Sequence, residues 1–169
     1  TFHIVESVRS HVESIVIKAT GLPEELIKNN LVLLTPRVNV NTNLEYSYVD
    51  SVYENKASII NIEVNYNKPS KNNFKNMKYI CHLLLKQTSN KNVDIKPVYQ
   101  INLNNYDVYN RNKFIYKSVL MEESLHLKRN EFITMIDINI DFLTSMDYSI
   151  IREEKEDSLE KLLYIFVCN

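Results

Sequence analysis

The sequence is poor in glycine, with one residue of this type among 169. Loops that cradle phosphates need several backbone positions with positive φ, so the common Gly-rich nucleotide-binding motifs are excluded. The two cysteines, Cys81 and Cys168, lack C-x-x-C spacing, which indicates buried thiols rather than a disulfide framework or a zinc site. No apolar run has transmembrane length and no signal peptide is recognisable. We therefore expect a cytoplasmic protein that does not bind a membrane.

An excess of one charge is also lacking, since 20 basic and 21 acidic residues give a formal net charge of -1. Without a global positive field, any nucleic-acid binding must come from a local basic patch. A chain of this length is expected to form one domain. We divide it into an N-terminal helical part over 1–30, a core over 31–110, and a C-terminal hairpin and helix over 111–169.

The apolar spacing predicts a mixed α/β protein. A first helix over 5–19 can end at Gly21, and Pro23 can open a short second helix. Pro36 interrupts an apolar stretch over 31–40, which predicts an edge strand or two short pieces. The remaining predictions are strands over 44–53, 58–65, 98–103, 114–122 and 132–139, and helices over 74–87 and 149–167.

Two consecutive predicted strands each carry one carboxylate, Asp50 in Y-V-D-S-V-Y and Glu63 in S-I-I-N-I-E-V-N. If the strands pair through the polar turn at 54–56, these carboxylates can lie close together at one end of the sheet. Two carboxylates that share a small space repel each other unless a cation lies between them. Hard divalent ions such as Mg²⁺ or Mn²⁺ suit these oxygen ligands and can activate a water for phosphate chemistry. The alternative is that both residues simply face solvent.

The stretch from Asp50 to Asn65 resembles the PD-(D/E)XK nuclease family transposase group, also called the Rpn group, which has an I-N-I-E-x-Q pattern in this place. The segment N-M-K-Y-I-C-H-L-L-L-K-Q (76–87) is similar to that family's tyrosine-containing helix. The similarity continues in I-K-P-V-Y-Q-I-N-L-N-N-Y-D-V-Y (95–109), in the stretch up to Asp141, and in S-L-E-K-L-L-Y-I-F (158–166). It covers about residues 44–166 and rests on the order and spacing of these segments.

The resemblance implies a restriction-endonuclease-like αβββαβ core, with a mixed central sheet flanked by helices, that cleaves DNA with Mg²⁺ or Mn²⁺. By position, it implies that Asp50, Glu63 and the carbonyl of Val64 bind the metal. Asn65 lies where this group has Gln and the wider superfamily has Lys. We expect Asn65 to orient the attacking water, although it brings no positive charge.

The N-terminal acidic signature of the family is not recognisable before Gly21, and Glu6 or Glu13 is the candidate to replace its acid. This departure and the neutral Asn65 leave two hypotheses. The first is a divalent-metal-dependent DNA endonuclease related to transposase-associated nucleases. The second is a catalytically degenerate nuclease fold, encoded by a phage or mobile element, that binds and inhibits or regulates a protein partner. A homodimer is compatible with both.

A basic stripe is the candidate nucleic-acid surface. Lys71, Lys75 and Lys78 recur at i, i+4 and i+7, with Lys68 just before them. Such a stripe can contact phosphates, although a solvated helix face has the same spacing. The apolar residues expected to form the buried face of this helix are Phe74, Met77, Cys81, Leu84 and Leu85.

Overall fold

The computed structural model describes residues 6–34, 37–39, 46–48, 51–68, 74–88, 94–129, 131–146, 148–155 and 158–168. The helices among them are α1 (Glu6–Thr20), α2 (Glu24–Ile27), α3 (Phe74–Gln87), α4 (Ile140–Thr144), α5 (Tyr148–Glu153) and α6 (Leu159–Cys168). The strands are β1 (Val32–Leu34), β2 (Arg37–Asn39), β3 (Tyr46–Tyr48), β4 (Ser51–Glu54), β5 (Ile59–Asn65), β6 (Val98–Asn104), β7 (Ile115–Val119), β8 (Met121–Glu122), β9 (Leu127–Lys128) and β10 (Ile133–Asn139).

A six-stranded mixed sheet in the order β1-β4-β5-β6-β10-β7 organises the fold. The three strands β5, β6 and β10 are parallel, and the remaining neighbours pair antiparallel. Helix α3 connects the parallel strands β5 and β6, as such a connection requires a crossover. The chain is therefore a mixed α/β protein, and the carboxyl ends of three neighbouring strands meet at one edge of its sheet.

One face of the sheet is apolar. Every second residue of the parallel strands points to this face, where Ile60, Ile101 and Ile136 are fully buried and Ile62, Val64 and Tyr99 are partly buried. The cluster also contains residues of α1, α4 and α6, such as Val16 and Leu163. Burying an aliphatic side chain of this kind contributes about 1.5–3 kcal/mol. This face therefore forms the main hydrophobic core.

The other face is covered in part by α3. A smaller apolar cluster joins Tyr79, Ile80 and Leu83 of α3 to Ile59 and Val98, the first residues of β5 and β6. Helix α3 follows β5 and precedes β6, so its first turn lies toward the carboxyl ends of these strands. The apolar contacts thus hold α3 from its middle onward, while its first turn reaches the polar part of the sheet through Lys75.

The first helix and the hairpin pairing agree with the sequence. Helix α1 ends where Gly21 takes a positive φ of 73° and donates its N–H to the carbonyl of Ile17. The stretch around Pro36 forms the two pieces β1 and β2. Strands β4 and β5 pair antiparallel around the turn at 54–56, as predicted. Strands β7 and β10 also pair, although β10 additionally pairs with β6 and lies inside the sheet.

Three predictions about elements are wrong. The strand expected over 44–53 is two strands in different sheets, since β3 pairs with β2 and β4 with β5. The helix expected over 149–167 is divided into α5 and α6, because the Ser158 hydroxyl accepts the N–H of Lys161 and caps a new helix. The buried face of α3 carries Asn76, Tyr79, Ile80 and Leu83, whereas the expected Met77, Cys81 and Leu85 are exposed.

Candidate functional site

The three parallel strands end in the same four-residue pattern, in which two polar residues alternate with apolar ones. It reads I-E-V-N at 62–65, I-N-L-N at 101–104 and I-D-I-N at 136–139. The register aligns these segments, so that Glu63 lies beside Asn102 and Asn102 beside Asp137. The final asparagines form a second row. Alternation places both rows on the sheet face opposite the main core.

These polar residues are buried. Glu63 and Asn102 are fully buried, and Asp137 is 4% exposed. Burying an amide or carboxyl group without a hydrogen-bond partner costs several kcal/mol, so such groups are expected to be paired. The ligands of open parallel sheets also bind outside the carboxyl ends of the strands. We call this polar surface, formed by every second residue from 61 to 65, 100 to 104 and 135 to 139, the amide face.

Side-chain hydrogen bonds cross the amide face and converge on Asp137. In one branch, Asn61 Nδ2 donates to Gln100 Oε1 at 2.7 Å, and Gln100 Nε2 donates to Asn102 Oδ1 at 2.9 Å. Asn102 Nδ2 then donates to Asp137 Oδ1 at 2.8 Å. Gln100 and Asn102 therefore each accept from one neighbour and donate to the next, whereas Asn61 only donates.

A second, shorter branch reaches the same oxygen. Asn65 Nδ2 donates to Asn104 Oδ1 at 2.9 Å, and Asn104 Nδ2 donates to Asp137 Oδ1 at 3.1 Å. Burial raises the pKa of Asp137, and the hydrogen bonds from Asn102 and Asn104 offset part of this rise. Asp137 is thus the common acceptor at which both branches end.

Glu63 is held by the first turn of α3. Lys75 Nζ lies 3.0 Å from Glu63 Oε2, and the Glu63 side chain is fully buried whereas that of Lys75 is about half exposed. The same ammonium lies 5.5 Å from the centre of the Tyr79 ring, within the range of a cation–π contact. A buried carboxylate is costly unless it is paired. Lys75 therefore supplies the positive charge that the Glu63 position requires.

Two further buried oxygens belong to this region. Among the described residues, Asn61 Oδ1 on β5 and Asn76 Oδ1 on the buried face of α3 accept no hydrogen bond. Asn61 lies two residues from Glu63 on the same sheet face, and Asn76 follows Lys75 in α3. The strand that carries Glu63 and the helix that carries Lys75 thus each hold one buried oxygen that could accept from a cation or from a donor such as water.

The structure places some of the residues predicted to bind metal or orient water, but not all of them. Asp50 lies outside the described residues, and the last described pair of β4 and β5 is Ser51 with Ile62. Glu63 lies on the amide face as described above. The side chain of Val64 packs against the apolar core, so only its carbonyl could serve as a ligand. Asn65 is placed at the carboxyl end of β5 and donates to Asn104.

The predicted basic stripe is not a uniform surface. Lys75 pairs with Glu63, although its side chain is about half exposed. Lys68 Nζ donates to the carbonyl of Asp107 and to Asn110 Oδ1, so its ammonium ties the end of β5 to the loop after β6. Lys78 is exposed on α3. Lys71 lies outside the described residues.

The loop after β6 is held by one carboxylate. Asp107 accepts the backbone N–H groups of Tyr109, Arg111 and Asn112 and the hydroxyl of Tyr116. Desolvation opposes ionisation of Asp107, but these hydrogen bonds together lower its pKa. The loop therefore has a defined shape beside the carboxyl ends of the parallel strands.

Glu13, a candidate for the missing N-terminal acid, does not join Glu63. It lies on α1, on the other side of the sheet, where its carboxylate accepts from Arg9 Nε and from the N–H of Asn29. It lines a cavity of about 150 Å³ together with Arg9, Val12, Leu31, Leu33 and Tyr53. The side chain of Glu6 is outside the described part of the chain.

Sequence reasoning missed the residues beyond Glu63 and Asn65, namely Asn102, Asn104 and Asp137. The signal that could have found them is the threefold recurrence of Ile, a polar residue, an aliphatic residue and Asn at the ends of predicted strands. Alternation over these strands was visible, but an amide at a buried position is normally interpreted as solvent-facing.

Comparisons with protein-family models, curated proteins and solved structures find no match for this chain. Within the described ranges, no group of three or more His, Cys, Asp or Glu residues is placed to hold a metal ion. None of the described helices is long and apolar enough to cross a membrane.

Proposed function

We propose that this protein is a divalent-metal-dependent DNA endonuclease-like protein whose site lies at Glu63. The observation that carries this proposal is a fully buried carboxylate, paired with a lysine, at the carboxyl end of three parallel strands. A buried charge of this kind contributes little to stability when compared with an apolar core. Its presence on a face full of buried amides is therefore better explained by chemistry than by folding.

The residues present fit a hard cation. Glu63 offers a carboxylate, and Asn61 and Asn76 offer buried carbonyl oxygens without a hydrogen bond among the described residues. Oxygen donors of this type suit Mg²⁺ and Mn²⁺. We propose that Glu63, Asp50 and the carbonyl of Val64 hold the ion. When bound, such an ion polarises a phosphate and lowers the pKa of a coordinated water.

The chain's own residues have separate roles in this proposal. Glu63 provides the buried negative charge, and Asn65, two residues later on the same face, orients the water that attacks phosphorus. Lys75 supplies a positive charge that Asn65 cannot, since its ammonium already lies at the Glu63 carboxylate. It can shift to a phosphate oxygen when a cation takes its place at Glu63.

The element order supports the proposed ancestry. Leaving out the short helix α2 and the small β2–β3 sheet, the chain from α1 through β1, β4, β5 and α3 to β6 follows the order expected of a restriction-endonuclease-like core. Asp50 directly precedes β4, and Glu63 directly follows Ile62, the partner of Ser51. We propose the αβββαβ core on this basis.

A plasmid assay tests this function. Supercoiled DNA incubated with the protein and Mn²⁺ is expected to be nicked or linearised, and Asp50→Ala and Glu63→Ala each to reduce the rate by at least about 100-fold, the scale on which an essential ligand acts. Glu13→Gln is the matched control, because Glu13 is also buried and paired but lies on the other face. Cleavage that survives both alanine variants would refute the site.

A second candidate function, binding of a protein partner, is favoured by an exposed apolar arm. The β8–β9 hairpin and its flanks project large apolar side chains to solvent, namely Leu120, Met121, Leu125, Leu127 and Phe132. Clusters of exposed apolar residues mark interaction surfaces. On this hypothesis the nuclease site is degenerate, and Lys75 permanently neutralises Glu63 as a structural ion pair.

The two candidate functions give different results with the same reagents. A protein-binding role predicts a stable complex from the natural host that Leu125→Asp and Leu127→Asp abolish and that EDTA leaves intact. The endonuclease proposal predicts that these two variants cleave DNA at the wild-type rate. Loss of cleavage in a folded Leu125→Asp variant would show that the arm belongs to the nuclease site.

A further inference from the structure

The direction of the hydrogen bonds on the amide face is fixed by chemistry. A side-chain amide can donate through its nitrogen or accept through its oxygen, and exchanging the two atoms leaves its shape almost unchanged. An ionised carboxylate can only accept. Because Asn102 and Asn104 both approach Asp137 Oδ1, each must present its nitrogen to Asp137 and its oxygen to the preceding residue.

The orientation of Asn104 in turn determines the orientation of Asn65, the next residue of the shorter branch and part of the proposed active site. Since the oxygen of Asn104 faces Asn65, Asn65 must donate through Nδ2, as it does at 2.9 Å. The amide group is planar, with its oxygen and nitrogen on different sides of the carbon. The Nδ2 atom of Asn65 is therefore committed to Asn104, and Oδ1 is the atom of this amide that remains to act as an acceptor.

We propose that Asp137 is a positioning residue which, through Asn104, makes Asn65 a hydrogen-bond acceptor and oxygen ligand at the Glu63 site. This inference rests on the proposed function and names a role for Asn65 within it. A lysine or a donating amide at this position would contact a phosphate oxygen. An acceptor instead contacts a metal ion or a hydrogen of the attacking water. Asn65 would therefore have a different chemical role from a lysine at the same position.

The two buried branches provide a matched pair of variants. Asn104 and Asn102 lie two residues apart on β6, are both buried and both donate to Asp137 Oδ1, but only Asn104 contacts Asn65. Asn104→Leu cuts the branch to Asn65, and Asn102→Leu cuts the branch to Gln100. A general effect of an apolar substitution on β6 would act equally in both variants.

Side-chain amide NMR of the metal-free protein tests the inference without any activity. In the wild type, one Nδ2 proton of Asn65 is expected to exchange slowly with water. Asn104→Leu should shift the Asn65 amide resonances and increase their exchange at least tenfold, while Asn102→Leu should leave them within about twofold. A freely exchanging Asn65 amide in the wild type, or equal shifts in the two variants, would overturn the proposal.

Metal binding provides the second readout, measured with Mn²⁺ alone. If Asn65 is an oxygen ligand, Asn65→Asp should bind Mn²⁺ at least as tightly as the wild type, and Asn65→Lys at least tenfold more weakly. The opposite order would mean that position 65 acts as a donor and would overturn the inference. Absence of Mn²⁺ binding in the wild type would refute the proposed function, and the NMR result would still decide how Asn65 is oriented.

Discussion

Each face of the central sheet has beside it one buried glutamate paired with a basic side chain, but the two ion pairs have different surroundings. On the core side, Glu13 of α1 is buried and lies 3.1 Å from Arg9 Nε. On the amide face, Glu63 is buried and lies 3.0 Å from Lys75 Nζ. In each pair the carboxylate is buried and the basic side chain is about half exposed. Because the two ion pairs are so similar, any difference in their roles must come from the residues that surround them.

The surroundings of Glu13 account for its burial by folding alone. Its carboxylate also accepts the N–H of Asn29, and Arg9 donates to the carbonyl of Leu31, so the pair joins α1 to the chain after α2. Glu63 instead lies in a surface of buried amides, on which Asn61 Oδ1 accepts no hydrogen bond within the described part of the chain. One buried glutamate therefore connects elements, whereas the other forms part of an oxygen-rich site.

The largest expected effect of a single substitution is on the apolar face. Ile101→Ala should lower the free energy of unfolding by about 2–5 kcal/mol, because the side chain is fully buried in the main cluster. Urea unfolding measures the loss, and the exposed Ile150→Ala should change it by less than about 0.5 kcal/mol. A loss for Ile101→Ala no larger than that for Ile150→Ala would mean that this face is not the core.

A smaller loss is expected on the amide face. Asn102→Leu should cost about 1–3 kcal/mol, since Gln100 Nε2 loses its acceptor and Asp137 loses one donor. The same unfolding experiment measures it, with the exposed Asn105→Leu as control. If Asn102→Leu raised the stability, the amide network would be a cost to folding, and its retention would then depend on function alone.

The Glu63 pair should contribute less again. Lys75→Met leaves a buried carboxylate without its cation, which would cost about 3–5 kcal/mol in a dry site, but exposure of Lys75 screens the pair and we expect about 1–2 kcal/mol. Addition of Mn²⁺ should restore most of this loss of stability. The control is Lys78→Met, at an exposed position, which should neither lose stability nor be stabilised by Mn²⁺. A Lys75→Met variant that Mn²⁺ does not stabilise would argue against a cation site at Glu63.

The smallest effect is a pH dependence that distinguishes two aspartates. Burial raises the pKa of Asp137 above its ordinary value of 3.8, so the folded state holds the proton to a higher pH than the unfolded state. Its contribution to stability falls as the pH rises from 3.8 through the raised pKa. Asp137→Asn removes this slope, so the variant should gain stability relative to the wild type as the pH rises across that window.

Asp107→Asn is the control with the opposite sign. The hydrogen bonds to Asp107 outweigh desolvation and lower its pKa, so its contribution is present above 3.8 and is lost as the pH falls through the lowered value. The variant should therefore be less stable than the wild type at neutral pH, with a difference that shrinks in acid. Urea unfolding across the acidic range compares both variants, and a slope of equal sign in both would contradict these assignments.

Local periodicity was enough to predict much of the fold. The bounds of α3, the pairing of β4 with β5 and the end of α1 at Gly21 follow from spacing, turn residues and backbone preferences over a few residues. The position of β10 between β6 and β7 could not be predicted in this way, because it depends on contacts between residues far apart in sequence. Nonlocal pairing also determines which polar residues become neighbours.

The buried face of α3 could not be predicted for a related reason. Sequence reasoning assigns the more apolar side of a helix to the core, which would bury Leu85 and expose Asn76. The structure has the reverse, with Asn76 buried and Leu85 exposed, and the first turn of α3 contacts the buried carboxylate of Glu63 through Lys75. A helix that packs on a buried polar surface must carry polar residues on its buried face. The residues that make this surface polar lie in β5, β6 and β10, not in the sequence of α3.

Mn²⁺ binding to three proteins tests the central claim most directly: the wild type, Glu63→Gln and Glu13→Gln. Calorimetric titration should show a saturable site in the wild type and in Glu13→Gln, with affinity reduced at least tenfold in Glu63→Gln. The two variants remove the same charge from equivalent ion pairs on opposite faces. Equal Mn²⁺ affinity in both variants, or no saturable site in the wild type, would contradict a metal-dependent role for Glu63.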